Sequence, residues 1–390
     1  LKGATTSEDY NALEATLLKL TASEDTSKLA DHISQMNAEG KAVLVNVLAA
    51  RNARSQFQKI ASLLDANNDT VNASVYKALS SIATAEHIPQ ILELLNTVEN
   101  EQDLASIQQA IITVIDNSKD DFSETIITTY NNISNKAKVL PILPALQSEA
   151  ALEMVTKSLN SGDSKEQAYA INALGNWRNN DAVSHLFKAA SATQASDLRS
   201  KAFNHYLTQV KASSFPDAQK LLLIQKLMPH NKGIDEQKQI IRSARGIKTF
   251  LSLIFVSNYI DTEGLTTTAS NTAIRIALPT PGKKDGLSGD VVRAIVSKGI
   301  DNLNGPDSQY IKIDVKEFLD NMSKEKGFVS MFNGKNLDGW QGLVEDPIAR
   351  AKMSEKQLAK AQLKANEQML RDWFVKDGVI GFKGEGYNNI

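Results

Sequence analysis

The sequence predicts a mainly α-helical protein that ends in a shorter segment of different character. Three observations lead to this prediction. Apolar residues recur at steps of three and four over most of the 390 residues, which is typical of helices with one buried face. The helical pattern itself repeats at a step of about 32 residues. From Gly327 onward, glycines, aromatic residues and short strand-like runs become more frequent.

The predicted helices begin at 9–20 and follow one another almost to Gly327. The apolar residues of one such helix share a single stripe: Leu104, Ile107, Ile111 and Val114. Ser164, followed by Gln167, predicts a capping box at the start of the helix that carries Ile171. Strand-like alternation is nearly absent from this part of the chain, so we expect helices joined by short polar breaks.

Prolines and glycines mark where this regular pattern is interrupted. Two prolines within 138–146 predict a kinked or broken helix, because proline lacks an amide donor and clashes with the preceding turn. The stretch 279–286 is rich in proline and glycine and predicts a loop that ends the regular array. A last helical pair is expected at 290–303 and 311–322, with a turn at 304–307.

The helices can be laid over one another, with a small residue at the same place in four of them. These residues are Ala78, Ala110, Ala173 and Ala273, and intermediate copies centre near Asn46, Ile142, Tyr206 and Ile240. A single helix pair cannot bury its own apolar face, so neighbouring pairs must stack. The sequence therefore predicts a HEAT-like α-solenoid over 1–324. The tetratricopeptide alternative is less favoured, because its tryptophan, glycine and proline pattern does not recur.

Composition narrows the classes of partner. The net charge of −2 and the lack of a lysine or arginine stripe argue against nucleic acid. The absence of cysteine excludes disulfides and thiolate metal sites. The longest apolar run, at 250–256, is far shorter than the roughly 20 residues of a membrane helix, so no membrane span is predicted. The sequence lacks an initiator methionine and ends abruptly, so we expect a fragment without its own signal peptide.

The stretch 327–342 reads GFVSMFNGKNLDGWQG and changes the pattern. An apolar run leads into the turn dipeptide Asn333-Gly334, and Trp340 follows after a second short segment. We interpret this as a strand, a tight turn and a docked segment, the alternative being a linker with a few buried anchors. A helix at 353–371 then opens with a capping box of Ser354 and Gln357. Its thin, alanine-rich apolar face favours packing on protein over a membrane surface.

Two motifs in this region resemble a known family. FVSMFNGKNLDGW is similar to the opening of the 3-keto-disaccharide hydrolase domain, formerly catalogued as a domain of unknown function. The sequence WFVKDGVI, beginning at Trp373, is similar to a later strand pair of that family. Asn336 replaces the aspartate that is more usual there. The resemblance implies that 325–390 is the N-terminal portion of a β-sandwich of the concanavalin-like lectin or glucanase type, with 353–371 as a helical insertion. It also implies a carbohydrate substrate and a bacterial periplasmic or cell-surface location.

The chemistry that the resemblance implies needs a general base and a group that stabilises negative charge on oxygen. The candidate catalytic residues are Asp338, Asp377 and Glu385, and the candidate substrate-binding residues are Trp340 and Tyr387. Asp338 and Asp377 each precede a glycine at a predicted turn, so a structural role as turn residues is the favoured interpretation.

No metal site is predicted within this chain. The five histidines lie on separate helices or turns, and none forms a zinc-binding pair along a helix. No cofactor motif is visible, although the chemistry leaves room for a divalent metal in the complete domain.

Two classes of function therefore remain. In the first, the full-length protein is a hydrolase or lyase acting on 3-keto-disaccharides or other keto-glycosides, while this chain alone is inactive. In the second, the protein is a non-catalytic scaffold, in which the solenoid binds a protein partner and the C-terminal domain binds glycan like a lectin. Sandwich folds host both functions, so the fold alone does not decide between them. Exposed aromatic residues without titratable neighbours would favour the second.

Overall fold

A computed structural model describes residues 3–4, 6–19, 26–64, 68–192, 196–303, 308–323, 331–384 and 389–390. Within these residues the protein is mainly α-helical, as the sequence predicts. The chain forms two compact units, a first unit of Leu1–Thr272 and a second unit of Ala273–Ile390. The predicted domain boundary near residue 324 falls in a segment outside the described residues.

The first unit consists of helices joined by short turns and single turns of 3₁₀ helix. In chain order they are α1 (Ser7–Lys19), α2 (Thr26–His32), α3 (Ala38–Ala50), α4 (Phe57–Ala61), α5 (Asp69–Ile82), α6 (Ile88–Thr97), α7 (Glu101–Asn117), α8 (Ser123–Asn132), α9 (Leu143–Leu146), α10 (Glu149–Leu159), α11 (Ser164–Gly175), α12 (Val183–Ala190), α13 (Asp197–Ala212), α14 (Asp217–Lys226), α15 (Ile234–Ser243) and α16 (Phe250–Ser257). The next helix, α17 (Thr266–Ala277), contains the boundary between the units.

Alternate helices of the first unit pack against one another. Helices α1, α3, α5 and α7 contact each other in sequence, and α11, α13 and α15 do the same. Their apolar faces form the core, where side chains such as Val47, Leu79 and Ile107 have no solvent exposure. The four alanines that the repeat pattern singles out are at most 2% exposed: Ala78, Ala110, Ala173 and Ala273.

Hydrogen bonds between the packed helices recur at nearly constant sequence separation. The Asn46 side-chain amide donates to the Glu14 carboxylate, 32 residues earlier, at 3.3 Å. Arg51 Nη2 donates to the Leu17 carbonyl oxygen at 3.0 Å, a separation of 34 residues. Gln209 Nε2 donates to the Gly175 carbonyl oxygen at 2.7 Å, again 34 residues away. This separation is close to the repeat step read from the sequence.

The helix that carries Ile171 is capped by a different residue than predicted. Asp163 is the N-cap of α11, and its carboxylate accepts the Lys165 backbone N–H at 2.8 Å. Ser164 is already the first helical residue, and Gln167 donates instead to the Ser161 carbonyl oxygen. The predicted capping box is therefore wrong here, because an aspartate one residue earlier supplies the acceptor. The box predicted at Ser354 and Gln357 does form.

The predicted break at 138–146 is confirmed. Residues 139–142 are in turn conformation, and α9 is a single short helical turn that carries Pro144. Polar contacts hold the break in place. Lys138 is 5% exposed, and its Nζ donates to the Val98 carbonyl oxygen at 2.9 Å and to the Glu99 carboxylate at 2.8 Å. The Gln108 side chain donates to the Lys138 carbonyl oxygen at 2.8 Å.

The second unit begins with helices and ends in a hairpin. The loop predicted at 279–286 is present and is closed by Thr280, whose hydroxyl and backbone N–H donate to the Asp285 carboxylate. The predicted last pair corresponds to α18 (Asp290–Asp301) and α19 (Ser308–Asn321), whereas the turn predicted at 304–307 lies outside the described residues. Helices α20 (Pro347–Ala351) and α21 (Glu355–Asp372) follow, then strands β1 (Trp373–Lys376) and β2 (Val379–Phe382).

The strands β1 and β2 pair antiparallel, with Trp373 opposite Phe382 and Lys376 opposite Val379. In the described part of the second unit, this two-stranded hairpin is the only β-sheet. The strand predicted before Asn333 is not confirmed, since 328–330 lie outside the described residues and Met331 and Phe332 are not in a strand.

None of the described helices combines the length and the apolar character that crossing a bilayer requires.

Candidate functional site

The hairpin places Asp377 in its turn. Asp377 and Gly378 are the two turn residues between β1 and β2, and their φ angles are +52° and +75°. Positive φ at both central positions is the geometry of a type I′ turn, for which Asp-Gly is a favoured pair. The Asp377 side chain is exposed. Its position is therefore explained by turn geometry.

Asp338 belongs to a second turn, which is held by asparagine side chains. The Asn333 side-chain oxygen accepts the backbone N–H groups of Lys335 and Asn336 at 2.8 and 3.0 Å. Asn336 then donates its amide to the Asp338 carboxylate at 2.7 Å and accepts the Asp338 backbone N–H at 3.1 Å. Asn336, which departs from the family's usual aspartate, thus bonds directly to Asp338.

The two motifs that carry the family resemblance lie next to each other. A Cβ atom placed on Gly378 would lie 3.8 Å from the Gly334 carbonyl oxygen, so the Asn333-Gly334 turn lies close to the Asp377-Gly378 turn. The motifs are more than 30 residues apart in sequence. We call the residues of the two turns, 333–338 and 377–378, the paired turns.

Helix α21 holds the segment that leads away from the paired turns. The Gly342 N–H donates to the Asn366 side-chain oxygen at 2.9 Å, and Gln362 donates to the Gly342 carbonyl oxygen at 2.7 Å. A Cβ atom on Gly342 would lie 2.1 Å from the Ala365 carbonyl oxygen, which only a glycine avoids. The helix therefore contacts the segment through backbone and amide groups, and packs on protein as the sequence predicts.

The candidate substrate-binding Trp340 is half-buried. Its indole Nε1 is buried and has no hydrogen-bond partner within the described part of the chain, so the polar edge of the ring faces the protein. Two aromatic rings of the hairpin are exposed, Phe374 and Phe382, and the sequence analysis predicted neither as a binding residue. Phe374 is 40% exposed and covers Gly381 on the opposite strand, where a Cβ atom would lie 2.5 Å from the ring. The sequence could have indicated this contact, because a hairpin with its turn at Asp377-Gly378 places Phe374 opposite Gly381, and aromatic residues often cover a glycine on the neighbouring strand.

The paired turns do not assemble a recognisable acid–base site. Asp338 and Asp377 are exposed, and their polar contacts serve the turns. Glu385 and Tyr387, the other two candidates, lie outside the described residues. Within the described residues, no group of three or more histidine, aspartate or glutamate side chains is placed to hold a metal ion.

Two histidines of the first unit, His87 and His205, are packing residues. His87 is buried and stacks on Phe57 with ring centroids 3.6 Å apart, and its Nδ1 accepts the Thr84 backbone N–H at 3.0 Å. His205 packs against Gly175, where a Cβ atom would lie 2.1 Å from its Nδ1. Burial lowers the pKa of both imidazoles below the usual value of 6.5. Each therefore stays neutral near neutral pH and contributes to packing.

The first unit also contains a groove that the sequence analysis did not predict. It lies between α6 and α8 and has a volume of about 460 Å³. Pro89, Leu92 and Ile133 contribute apolar surface, whereas polar side chains line the rest: Glu93 and Asn96 from α6, and Glu124, Thr125, Thr128, Thr129 and Asn132 from α8. We call this feature the α6–α8 groove. The sequence offered one indication of this groove, a local excess of negative charge: nine acidic residues and one lysine lie between residues 85 and 135.

Comparison with known proteins identifies no family. No protein-family model matches the chain, and no curated protein matches it. Among solved structures, the chain is similar to the crystal structure of an engineered protein, with 16% sequence identity and a TM-score of 0.35. The similarity covers 82% of this chain and 97% of the engineered one.

Proposed function

We propose that this chain is part of a bacterial carbohydrate-active protein, whose complete form cleaves 3-keto-disaccharides or other keto-glycosides. The observation that carries the proposal is the proximity of the paired turns. Both turns belong to motifs that resemble the keto-disaccharide hydrolase domain, and a chance match to two distant motifs gives no reason for their meeting in space.

The reaction follows from the chemistry of a sugar oxidised at carbon 3. The ketone acidifies the hydrogen at carbon 2, and a general base removes that proton. The electron pair left on carbon 2 forms a double bond to carbon 1 and expels the glycosidic oxygen, which takes up a proton. Water then adds back at carbon 1 in the hydrolase. The base and the group that stabilises the enolate oxygen each contribute several powers of ten in rate.

The described residues of the two motifs form turns and aromatic surface, and none of them is placed as a general base. We therefore assign the catalytic groups to the rest of a β-sandwich of the concanavalin type, of which 325–390 is the first portion and 353–371 a helical insertion. A periplasmic or cell-surface location belongs to the same proposal and rests on the family resemblance alone.

The helical part is proposed to be a HEAT-like α-solenoid. Three features support this: alternate helices contact one another in sequence, interhelical hydrogen bonds recur at separations of 32 to 34 residues, and the four repeat alanines are buried. A stack of this kind offers extended surface for a partner.

The second candidate function is a non-catalytic binding scaffold with a lectin-like module. Phe374 favours it, because its exposed ring contacts Gly381 on the opposite strand, where no titratable side chain stands. In this alternative, the C-terminal domain binds glycan through aromatic surface and the helical part binds a protein.

An activity assay separates the two candidates. The 390-residue chain and a longer product that carries the proposed complete domain are each incubated with a 3-keto-disaccharide and with its unoxidised parent. We expect turnover of the keto-sugar by the longer product alone. Turnover by the 390-residue chain would instead place the chemistry on Asp338, Asp377 or Glu385. Glycan binding without turnover by the longer product, lost on Phe374→Ala, would support the lectin-like candidate and overturn the enzyme.

A further inference from the structure

We propose that the α6–α8 groove is a docking site for an extended basic peptide segment, whose lysine or arginine side chains pair with Glu93 and Glu124. The inference rests on the binding-scaffold candidate for the helical part and is independent of keto-glycoside cleavage. The groove lies wholly within the first unit.

The first argument is the polarity of the walls. Each helix contributes one carboxylate and one amide to the groove, Glu93 and Asn96 from α6, and Glu124 and Asn132 from α8. The lining contains no lysine, arginine or histidine. Within the described part of the chain, neither Glu93 nor Glu124 forms an ion pair. Two opposed carboxylates without a counter-charge favour a cationic occupant.

The second argument is that stabilisation of the two helices explains the Glu124 carboxylate but not the Glu93 carboxylate. Glu124 lies in the first turn of α8, where a carboxylate stabilises the helix through its dipole. Glu93 lies in the middle of α6, outside its last turn, so the dipole of this helix has little effect on the Glu93 charge. Neither α6 nor α8 carries a lysine, arginine or histidine that could pair with Glu93.

The third argument is the charge of the surrounding chain. Nine acidic residues and one lysine lie between 85 and 135, although the whole protein has a net charge of only −2. Two of the nine, Glu99 and Asp116, are paired with Lys138 and Arg178, whereas Glu93 and Glu124 are not in ion pairs within the described residues. A surface with one sign of charge raises the local concentration of ligands of the opposite sign. The hydroxyl and amide groups of Thr128, Asn96 and Asn132 can bond to peptide backbone, and a volume of about 460 Å³ lies within the usual range of ligand sites.

The test is a titration of the whole 390-residue chain with a fluorescein-labelled octapeptide in which lysine alternates with serine. Fluorescence anisotropy reports binding at low and at moderate salt, and we expect saturable binding that weakens as salt screens the charges. The double variant Glu93→Gln, Glu124→Gln keeps the shape of the groove and removes its charge. We expect it to bind about three- to ten-fold more weakly.

The matched control is Glu101→Gln with Glu153→Gln, which removes the same charge from exposed positions outside the groove. We expect it to bind nearly as the unaltered chain does. A second variant, Thr128→Trp, fills the groove without changing charge and should also weaken binding.

Equal loss of peptide binding in the control and in the Glu93, Glu124 variant would overturn the proposal in favour of non-specific attraction. Binding of a glutamine–serine octapeptide or of a neutral disaccharide at the groove, unchanged by loss of the two carboxylates, would overturn the basic-peptide assignment. A negative result leaves the sugar assay untouched, so the two proposals fail separately.

Discussion

Single residues in the first unit show how burial sets both protonation and packing. His87 stacks on Phe57, and its Nδ1 accepts the Thr84 backbone N–H, which requires an unprotonated nitrogen there. Burial lowers the pKa of His87, and the same cause lowers the pKa of His185 and of His205. Neutral imidazole is thus part of the folded structure at several places.

Stability of the first unit should therefore fall in mild acid. Below the usual histidine pKa of 6.5, the unfolded chain binds protons that the folded chain does not, so acid favours unfolding. The loss begins as pH drops through about 6.5 and ends near the lowered folded pKa, and above that window histidine has no effect. His87→Gln keeps an acceptor for Thr84 and should flatten this pH dependence.

Urea unfolding at pH 7.5 and at pH 5 measures the effect. His32→Gln is the control, because His32 is exposed, and it should leave the pH dependence as it is. A free energy of unfolding that falls equally between the two pH values in all three proteins would contradict this role of His87.

At the scale of elements, α13 and α15 are joined by a buried ion pair. Arg199 on α13 is 3% exposed, and its guanidinium donates to both oxygens of the Glu236 carboxylate on α15. Its Nη2 also donates to the His230 carbonyl oxygen at 2.9 Å. By contrast, Arg178 and Asp116 form a bidentate pair at 2.5 and 2.7 Å with both side chains substantially exposed. The two pairs have similar geometry and differ mainly in solvent access.

Removing the cation should therefore cost far more in the first pair. Arg199→Ala leaves the Glu236 carboxylate without its partner in a mostly buried place, and we expect a loss of about 3–5 kcal/mol in the free energy of unfolding. Arg178→Ala is the matched control, with an expected loss of about 1 kcal/mol or less, because water replaces the guanidinium. Chemical denaturation of both variants compares the losses. Similar values for the two would show that burial does not decide the strength of these pairs.

At the scale of the whole molecule, helix contacts run mainly between near neighbours in the chain. Ala110 lies on α7 and is fully buried, and α7 packs on α5 and α6. If the helices form a linear array, strain introduced at α7 should spread to its neighbours and fade with distance along the first unit.

Hydrogen exchange of Ala110→Leu tests this behaviour. Overpacking a filled site costs roughly 1–3 kcal/mol, so amides of α5 and α7 should exchange faster, while those of α13 and α15 change little. Ala105→Leu, on the exposed side of the same helix, should leave all of them nearly unchanged. Uniform acceleration across the first unit in Ala110→Leu would show one cooperative core in place of a linear array.

The sequence by itself determined the features that depend on neighbouring residues. It predicted the mainly helical character, the break at the two prolines, the capping box at Ser354 and the turn at Asp377-Gly378, because backbone conformation there follows from local sterics and hydrogen bonds. The strand pair around that turn was expected from the family resemblance. Even so, Asp163 and Ser164 are both favourable N-cap residues, and the local sequence pattern predicted Ser164 where the structure has Asp163.

Only the tertiary structure decided which distant residues meet. It brings the Gly334 turn against the Gly378 turn, buries Arg199 with Glu236, and sets Glu93 opposite Glu124 across a groove. None of these pairings follows from spacing, since each depends on how helices and turns pack once their apolar faces are buried. Side-chain burial then gives the same residue types different energies, which is why we expect the loss of Arg199 to destabilise the fold more than the loss of Arg178.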